Sequence, residues 1–486
     1  MSLGQSIRQN TAWLLSGNMV RRGLKFAYGI ALARILVPAD FGLFVTIQIF
    51  TGAAGLIATG GMSQSLVQAR ELGPHDYRAV FTVQLLIGVA IYTFFFTIAP
   101  WFALWFGDPR YEALLRISTV SFLLRPFRNV PAARLKREMR FKWIAITQVV
   151  SMIVGSSVSV TLALEGFGVW SLVYGGIIGT LVNIVLVSLA ARWVPTPVWS
   201  AETIQRLGGF GLRFSANSIL RYVKTQTGNL VLAQFAGPAA VGLYNKADSL
   251  SAMPRELILG SSYQTLFRGL SQEQDNLDKS RYLYLRALTL GTVYILPVYV
   301  CVWWLAEPFI VFVYGGNWLP AAHLLEILAI SGLLLVGSPS GAVLAAQDRI
   351  GKEIRLNIET GVLMVAVTIL GYQLAGMVGV AWAVAALRLY TNARLYALVG
   401  GVIGVRLPQL LDALMPAYVL NGILLAGLYA GHTLGLHGLR HEAPGLYVTA
   451  MGSLAVSCYG LALLYLPLQD LETEARRWKR TLRLAA

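Results

Sequence analysis

Charge is the scarcest property of this chain. Only 13% of its 486 residues are Asp, Glu, Lys or Arg, about half the ~25% of an ordinary soluble domain. With 56% hydrophobic residues and a mean hydropathy of +0.62, a water-soluble globular domain is excluded. Cysteine is nearly absent. Cys301 and Cys458 both sit in apolar stretches, so neither a disulfide framework nor a thiol metal site is indicated. The chain contains no G-x-x-x-x-G-K-[ST] loop, no H-E-x-x-H and no G-x-S-x-G. ATP hydrolysis, zinc proteolysis and serine hydrolysis therefore lack their usual signatures, and no catalytic residue or cofactor is expected. Acidic residues are few, 23 against 39 basic, which leaves a net charge of +16. In a soluble protein that charge would suggest nucleic acid. Zinc spacing, an RNP-type motif and a basic-aromatic arm are all missing, so no nucleic-acid partner is expected. The excess reads instead as a topogenic bias combined with a charged interior.

What the chain has in abundance is helix-length apolar runs, so the expected fold is an all-α polytopic membrane protein. Short alternating strands, which a barrel would need, do not stand out. The first apolar run is too long and too charged for a cleavable signal. Fourteen spans are read near 10–35, 41–66, 80–106, 111–133, 142–165, 168–194, 207–235, 239–265, 284–314, 319–345, 353–374, 376–402, 409–431 and 446–466. Loop charge supports this segmentation. With the N-terminus inside, one cytoplasmic loop gathers Arg134, Lys136, Arg137, Arg140 and Lys142, and the tail holds Arg476, Arg477, Lys479, Arg480 and Arg483. The opposite side has only Arg110 and Arg440. The bias places both termini in the cytoplasm. The tail RRWKRTLR reads as a surface helix on anionic lipid. His432, His437 and His441 lie in the longest outer loop, at spacings that do not set a metal site, and no loop is long enough for a catalytic domain.

A repeat then appears. LARILVPADFGLF (Leu32 to Phe44) returns two hundred residues later as LAQFAGPAAVGLY (Leu232 to Tyr244). Leu32, Ala33, Pro38, Ala39, Gly42 and Leu43 match Leu232, Ala233, Pro238, Ala239, Gly242 and Leu243 without a gap, and in the same register Arg21 falls on Arg221. The expected organisation is an N-lobe over 1–195, a C-lobe over 207–402, two further helices over 403–466 and a basic tail over 467–486. Both copies enter the membrane in the same sense, so the pseudo-axis should run along the membrane normal.

Each copy opens on a cationic stripe. Asn18, Arg21, Arg22 and Lys25 share one helical face, and Arg213, Asn217, Arg221 and Lys224 form another. At 1.5 Å per residue Arg21 lies roughly 16–21 Å from the ends of its span, too far to reach the interface easily. An arginine at that depth costs about 2.5–3.5 kcal/mol on insertion scales, so these residues are expected to face a hydrated, anion-handling cavity. Arginine favours phosphate through paired donors. Asp248, Glu256, Glu326 and Glu359 are too few to neutralise the interior; Asp248, Glu326 and Glu359 are the candidates for coupling to H⁺ or Na⁺, and His323 lies three residues from Glu326. Arg125 and Arg128, toward the cytoplasmic end of their span, read as snorkelling or topogenic.

Several stretches resemble one known family. ALARILVPADFGLFVTIQIF followed by GGMSQSLVQ is similar to the opening of Wzx-like polysaccharide transporters of the multidrug/oligosaccharidyl-lipid/polysaccharide superfamily. RLKREMRFKWIAITQV, NLVLAQFAGPAAVGLYNKADSLSAMP and LAEPFIVFVYGGNWLPAAHLLEIL resemble its later landmarks, so the likeness runs from Ala31 to Gly341. The resemblance implies an inner-membrane flippase of polyprenyl-diphosphate-linked oligosaccharide for O-antigen or exopolysaccharide. It also implies two six-helix lobes plus two helices, working by alternating access beside other polysaccharide-synthesis membrane proteins. Alternatives are a cation-coupled drug exporter of the same superfamily, a membrane glycan polymerase or ligase, and a scaffold.

Overall fold

The computed structural model describes residues 3–59, 62–68, 72–201, 220–334 and 339–482, and every regular element among them is helical. In chain order these are α1 (Leu3–Ile35), α2 (Pro38–Thr59), α3 (Met62–Gln68), α4 (Pro74–Phe106), α5 (Arg110–Arg137), α6 (Phe141–Leu164), α7 (Val169–Ala191) and α8 (220–235). There follow α9 (Pro238–Gln272), α10 (Leu277–Trp304), α11 (Ala306–Tyr314), α12 (Pro320–Leu334), α13 (Ser340–Ala346) and α14 (Ile350–Ile403). The last are α15 (Leu407–Gly431), α16 (Leu439–Glu442), α17 (Pro444–Tyr465) and α18 (Glu472–Thr481).

Proline and glycine punctuate the chain as the sequence suggests. Pro38, Pro74, Pro238, Pro320 and Pro444 each begin a helix, where the missing N–H costs nothing. Gly107 ends α4 with φ 69°, a left-handed conformation that its lack of a Cβ permits. Among the described residues eight helices are long and apolar enough to cross a membrane: α2, α4, α6, α7, α10, α14, α15 and α17. The 54-residue α14 carries two of the expected spans, broken at Ala375 and Gly376, where Gly376 has φ 55°. α1, α5 and α9 have the length, but they carry Arg21, Arg22 and Lys25, then Arg116, Arg125 and Arg128, then Lys246, Asp248 and Arg255.

Three expected boundaries are corrected. The span over 284–314 is α10, a break at Leu305, then the short α11. Pro308 explains the restart, since it can sit in a first turn but cannot donate to the preceding one. The span over 41–66 divides into α2 and α3, and that over 319–345 into α12 and α13.

Packing divides the chain into two compact units, Met1–Gly242 and Leu243–Ala486. In the first, α6 and α7 meet through small residues. A Cβ on Gly175 would lie 1.8 Å from Ser159 Oγ, and one on Gly155 would lie 2.8 Å from the Gly175 carbonyl oxygen. Close backbone approach of this kind is how helices associate where lipid removes the hydrophobic drive between them. A core of aromatic side chains joins α2, α4 and α5, with Phe50 edge-on to Phe102 at 4.9 Å.

The same unit contains both proline–glycine turns of the repeat. At the start of α2, a Cβ on Gly42 would fall 1.7 Å from the Pro238 carbonyl oxygen. In the first turn of α9, a Cβ on Gly242 would fall 1.9 Å from the Pro38 carbonyl oxygen. Each glycine thus seats the other turn's proline carbonyl.

In the second unit α10 packs on α12, α15 and α17, and the Tyr299 ring lies over Gly332, where a Cβ would be 2.3 Å from the ring. The tail helix α18 docks through Trp478, whose Nε1–H donates to the Tyr294 hydroxyl at 3.0 Å, while that hydroxyl donates to Glu474 at 3.2 Å.

Candidate functional site

The first unit encloses a cavity of about 590 Å³ walled by α1, α2, α5, α6 and α7. Glycines line part of it: Gly175, Gly176 and Gly179 on α7 and Gly155 on α6. A Cβ on Gly176 would meet nothing within 4 Å, whereas Gly155, Gly175 and Gly179 are where α6 and α7 touch. Into this space α1 sends Arg21, and α5 sends Arg128 and Lys136. Arg21 donates to Gln148 Oε1 at 2.7 Å and to Asn18 Oδ1 at 3.1 Å. Opposite, the buried Asn183 donates to the Thr147 carbonyl oxygen and to Ser151 Oγ, each at 3.1 Å. Among the described residues Arg128 reaches only the neighbouring Asn129, at 3.4 Å.

None of the described lining residues is Asp or Glu. Three cations therefore border the cavity among its described lining, with Arg21 and Arg128 bonded to neutral side-chain amides. Such an arrangement carries a desolvation cost that an entering anion relieves, whereas an ion-paired interior has nothing left to offer one. Arginine forks and a lysine point charge are the donors that suit phosphate oxygens.

Of the stripe on α1, Arg21 lines the cavity and Asn18 braces it, while Arg22 and Lys25 are exposed and outside the lining. Arg213 and Asn217 lie outside the described residues. On α8, Arg221 is exposed and Lys224 half-buried, and neither borders this cavity. Tyr222 between them donates to the Gln48 carbonyl oxygen at 2.9 Å, its ring against Gly52.

The acidic candidates are dispersed through the second unit. Asp248 is bound by Arg388, which also donates to Ser251 at 3.3 Å. Glu359 accepts from the Tyr390 hydroxyl and from Arg394, the latter at 3.4 Å. Glu326 is 3.4 Å from His323.

Sequence reading missed most of the cavity wall. Arg128, a snorkelling or topogenic residue by its position, and Lys136, a cytoplasmic-loop charge, both border the cavity. Both face inward because Arg128, Ala132 and Lys136 recur every four residues on one side of α5. That spacing was the available signal. Gln148 and Asn183 carry no comparable mark, since single amides in apolar helices are common.

Comparison with known proteins adds three likenesses. The chain is 27% identical over 350 residues to the succinoglycan biosynthesis transport protein ExoT of Rhizobium meliloti (strain 1021), covering 70% of this chain and 71% of that one. It is 23% identical over 387 residues to the lipopolysaccharide biosynthesis protein WzxC of Escherichia coli (strain K12), covering 78% of each. The solved structure of the lipid II flippase MurJ in an inward closed conformation shares the fold, with a TM-score of 0.75 and 14% identity over 97% of this chain and 99% of that one. Residues 31–323 match the family described as polysaccharide biosynthesis protein, and the chain belongs to that family.

Proposed function

We propose that the protein is a flippase that carries a polyprenyl-diphosphate-linked oligosaccharide across the bacterial inner membrane for cell-surface polysaccharide synthesis. The single observation that carries this reading is the cavity of about 590 Å³ with Arg21, Arg128 and Lys136 and no acidic residue among its described lining. A diphosphate cannot cross hydrocarbon unaided, because stripping water from its charges costs many kcal/mol. Fixed guanidinium and ammonium groups replace that water, and a wet, glycine-walled cleft leaves room for sugars. The prenyl tail stays in lipid while the cavity opens to the two faces in turn. The names of ExoT and WzxC, a transport protein and a lipopolysaccharide protein, support the same substrate class. Residues 1–195 and 207–402 are read as two copies of one six-helix unit. Coupling to H⁺ or Na⁺ is assigned to Asp248, Glu326 and Glu359, of which Asp248 pairs with Arg388 and Glu359 with Arg394.

A drug exporter of the same superfamily would need an acidic or aromatic pocket for cationic compounds, and the charge of this cavity is the opposite.

Deleting the gene tests the reading. Lipid-linked oligosaccharide should accumulate in extracted lipids, seen by mass spectrometry, and surface polysaccharide should fall tenfold or more. An unchanged lipid pool with normal surface polysaccharide would refute it. A second outcome concerns orientation. Reporter fusions near Arg137 and Lys279 and at both termini should report cytoplasm, and one near His437 the periplasm. A periplasmic signal at Arg137 would overturn the topology.

A further inference from the structure

A second compartment, of about 350 Å³, adjoins the cavity within the first unit. The two share Phe44, Leu172, Gly176 and Thr180 as common wall. The smaller space has one cation, Arg125, and again no Asp or Glu among its described lining. Arg125 does not snorkel. Its guanidinium stacks on the Phe122 ring at 4.4 Å and occupies the notch left by Gly55, where a Cβ would come within 2.3 Å of Nη1. The stacked, notched position holds the guanidinium at the wall of the compartment. Ser118 and Ser121 lie seven and four residues before it on the same face of α5, and both line the space. The Ser118 hydroxyl is buried and has no hydrogen-bond partner among the described residues. A buried polar group without a partner costs about 1–3 kcal/mol, which a polar group entering the compartment would relieve. A volume of 350 Å³ is at the small end for ligand sites, enough for one charged group and its carrier but too small for an oligosaccharide.

We propose that this compartment is a second oxyanion site, in which Arg125 with the Ser118 and Ser121 hydroxyls binds a phosphate or carboxylate of the transported lipid-linked glycan. The proposal rests on the flippase reading above. It makes α5 a ladder. From Lys136 to Arg128 is ~12 Å along the helix, and from Arg128 to Arg125 another ~4.5 Å. The first two rungs face the larger cavity and the third faces the smaller one. An anion held at Arg128 has its next cation one helical turn further in, behind a shared wall that includes Gly176 and Thr180. The anion belongs either to the diphosphate headgroup or to an acidic sugar, and the chemistry of recognition is common to both.

The test uses the full-length protein in detergent micelles with two probes, geranylgeranyl diphosphate and a tetra-galacturonate, and reads dissociation constants calorimetrically. Arg125→Gln should weaken at least one probe tenfold or more, and Arg125→Lys should recover part of the loss. Gly55→Ala keeps the charge and fills the notch, so it should weaken the same probe by displacing the guanidinium. Melting temperatures of the variants should stay near that of the unaltered protein. Loss confined to the diphosphate assigns the site to the headgroup, and loss confined to the galacturonate assigns it to the glycan. If Arg21→Gln weakens binding while Arg125→Gln and Gly55→Ala do not, the second site is overturned and the flippase reading stands. If none of the three changes binding, or if the unaltered protein binds neither probe, both are overturned.

Discussion

Arg21→Ala should cut glycan export per folded molecule tenfold or more, while the amount of protein in the membrane stays close to normal. The side chain donates to Gln148 and Asn18 at 2.7 and 3.1 Å and borders a cavity with no described acidic lining. Neither partner is charged, so removing the arginine strands no buried carboxylate. Its loss falls on whatever anion enters. A hydrogen bond to a charged group contributes about 1.5–3 kcal/mol, and tenfold corresponds to about 1.4 kcal/mol. Arg21→Lys should restore part of the export, because an ammonium keeps the charge and loses the planar fork. Export of surface polysaccharide measured beside membrane abundance decides the matter. Normal export per molecule in Arg21→Ala, with abundance reduced, would reassign Arg21 to holding α1 against α6.

Gly42→Ala should have the opposite profile, with low abundance and normal export from what remains. Its Cβ would be placed 1.7 Å from the Pro238 carbonyl oxygen. That atom is backbone at the start of a helix and cannot rotate away, so α2 or α9 must move bodily. Overpacking typically costs 1–3 kcal/mol, occasionally more, and a loss of this size lowers cellular abundance several-fold. Thermal unfolding in detergent reads it directly. An unchanged melting temperature would show that the two turns do not approach as described.

Much of this was legible in the sequence because lipid imposes simple rules. Apolar length and loop charge gave the spans, and the proline–glycine turns marked their ends. The Arg21 stripe was visible because charge is so rare in such helices. The break at Leu305 had a local signal, Glu307 and Pro308 directly after it, but the long apolar stretches on either side favour a single span. Arg128 lies toward the end of its expected span and Lys136 in the loop beyond it, positions that suit snorkelling or topogenic charge as well as a cavity wall. Their spacing on α5 pointed inward. The pairing of Asp248 with Arg388 joins residues far apart in the chain, and no local pattern announces such a contact.

The meeting of Gly42 with Pro238, and of Gly242 with Pro38, has an energetic consequence. The two contacts share one relative displacement of α2 and α9, so neither can be lost while the other is kept. Enlarging either glycine forces the same separation. In a double-mutant cycle, Gly42→Ala and Gly242→Ala should therefore fall well short of additive. The second substitution meets helices already parted by the first, and most of its own penalty has been removed in advance.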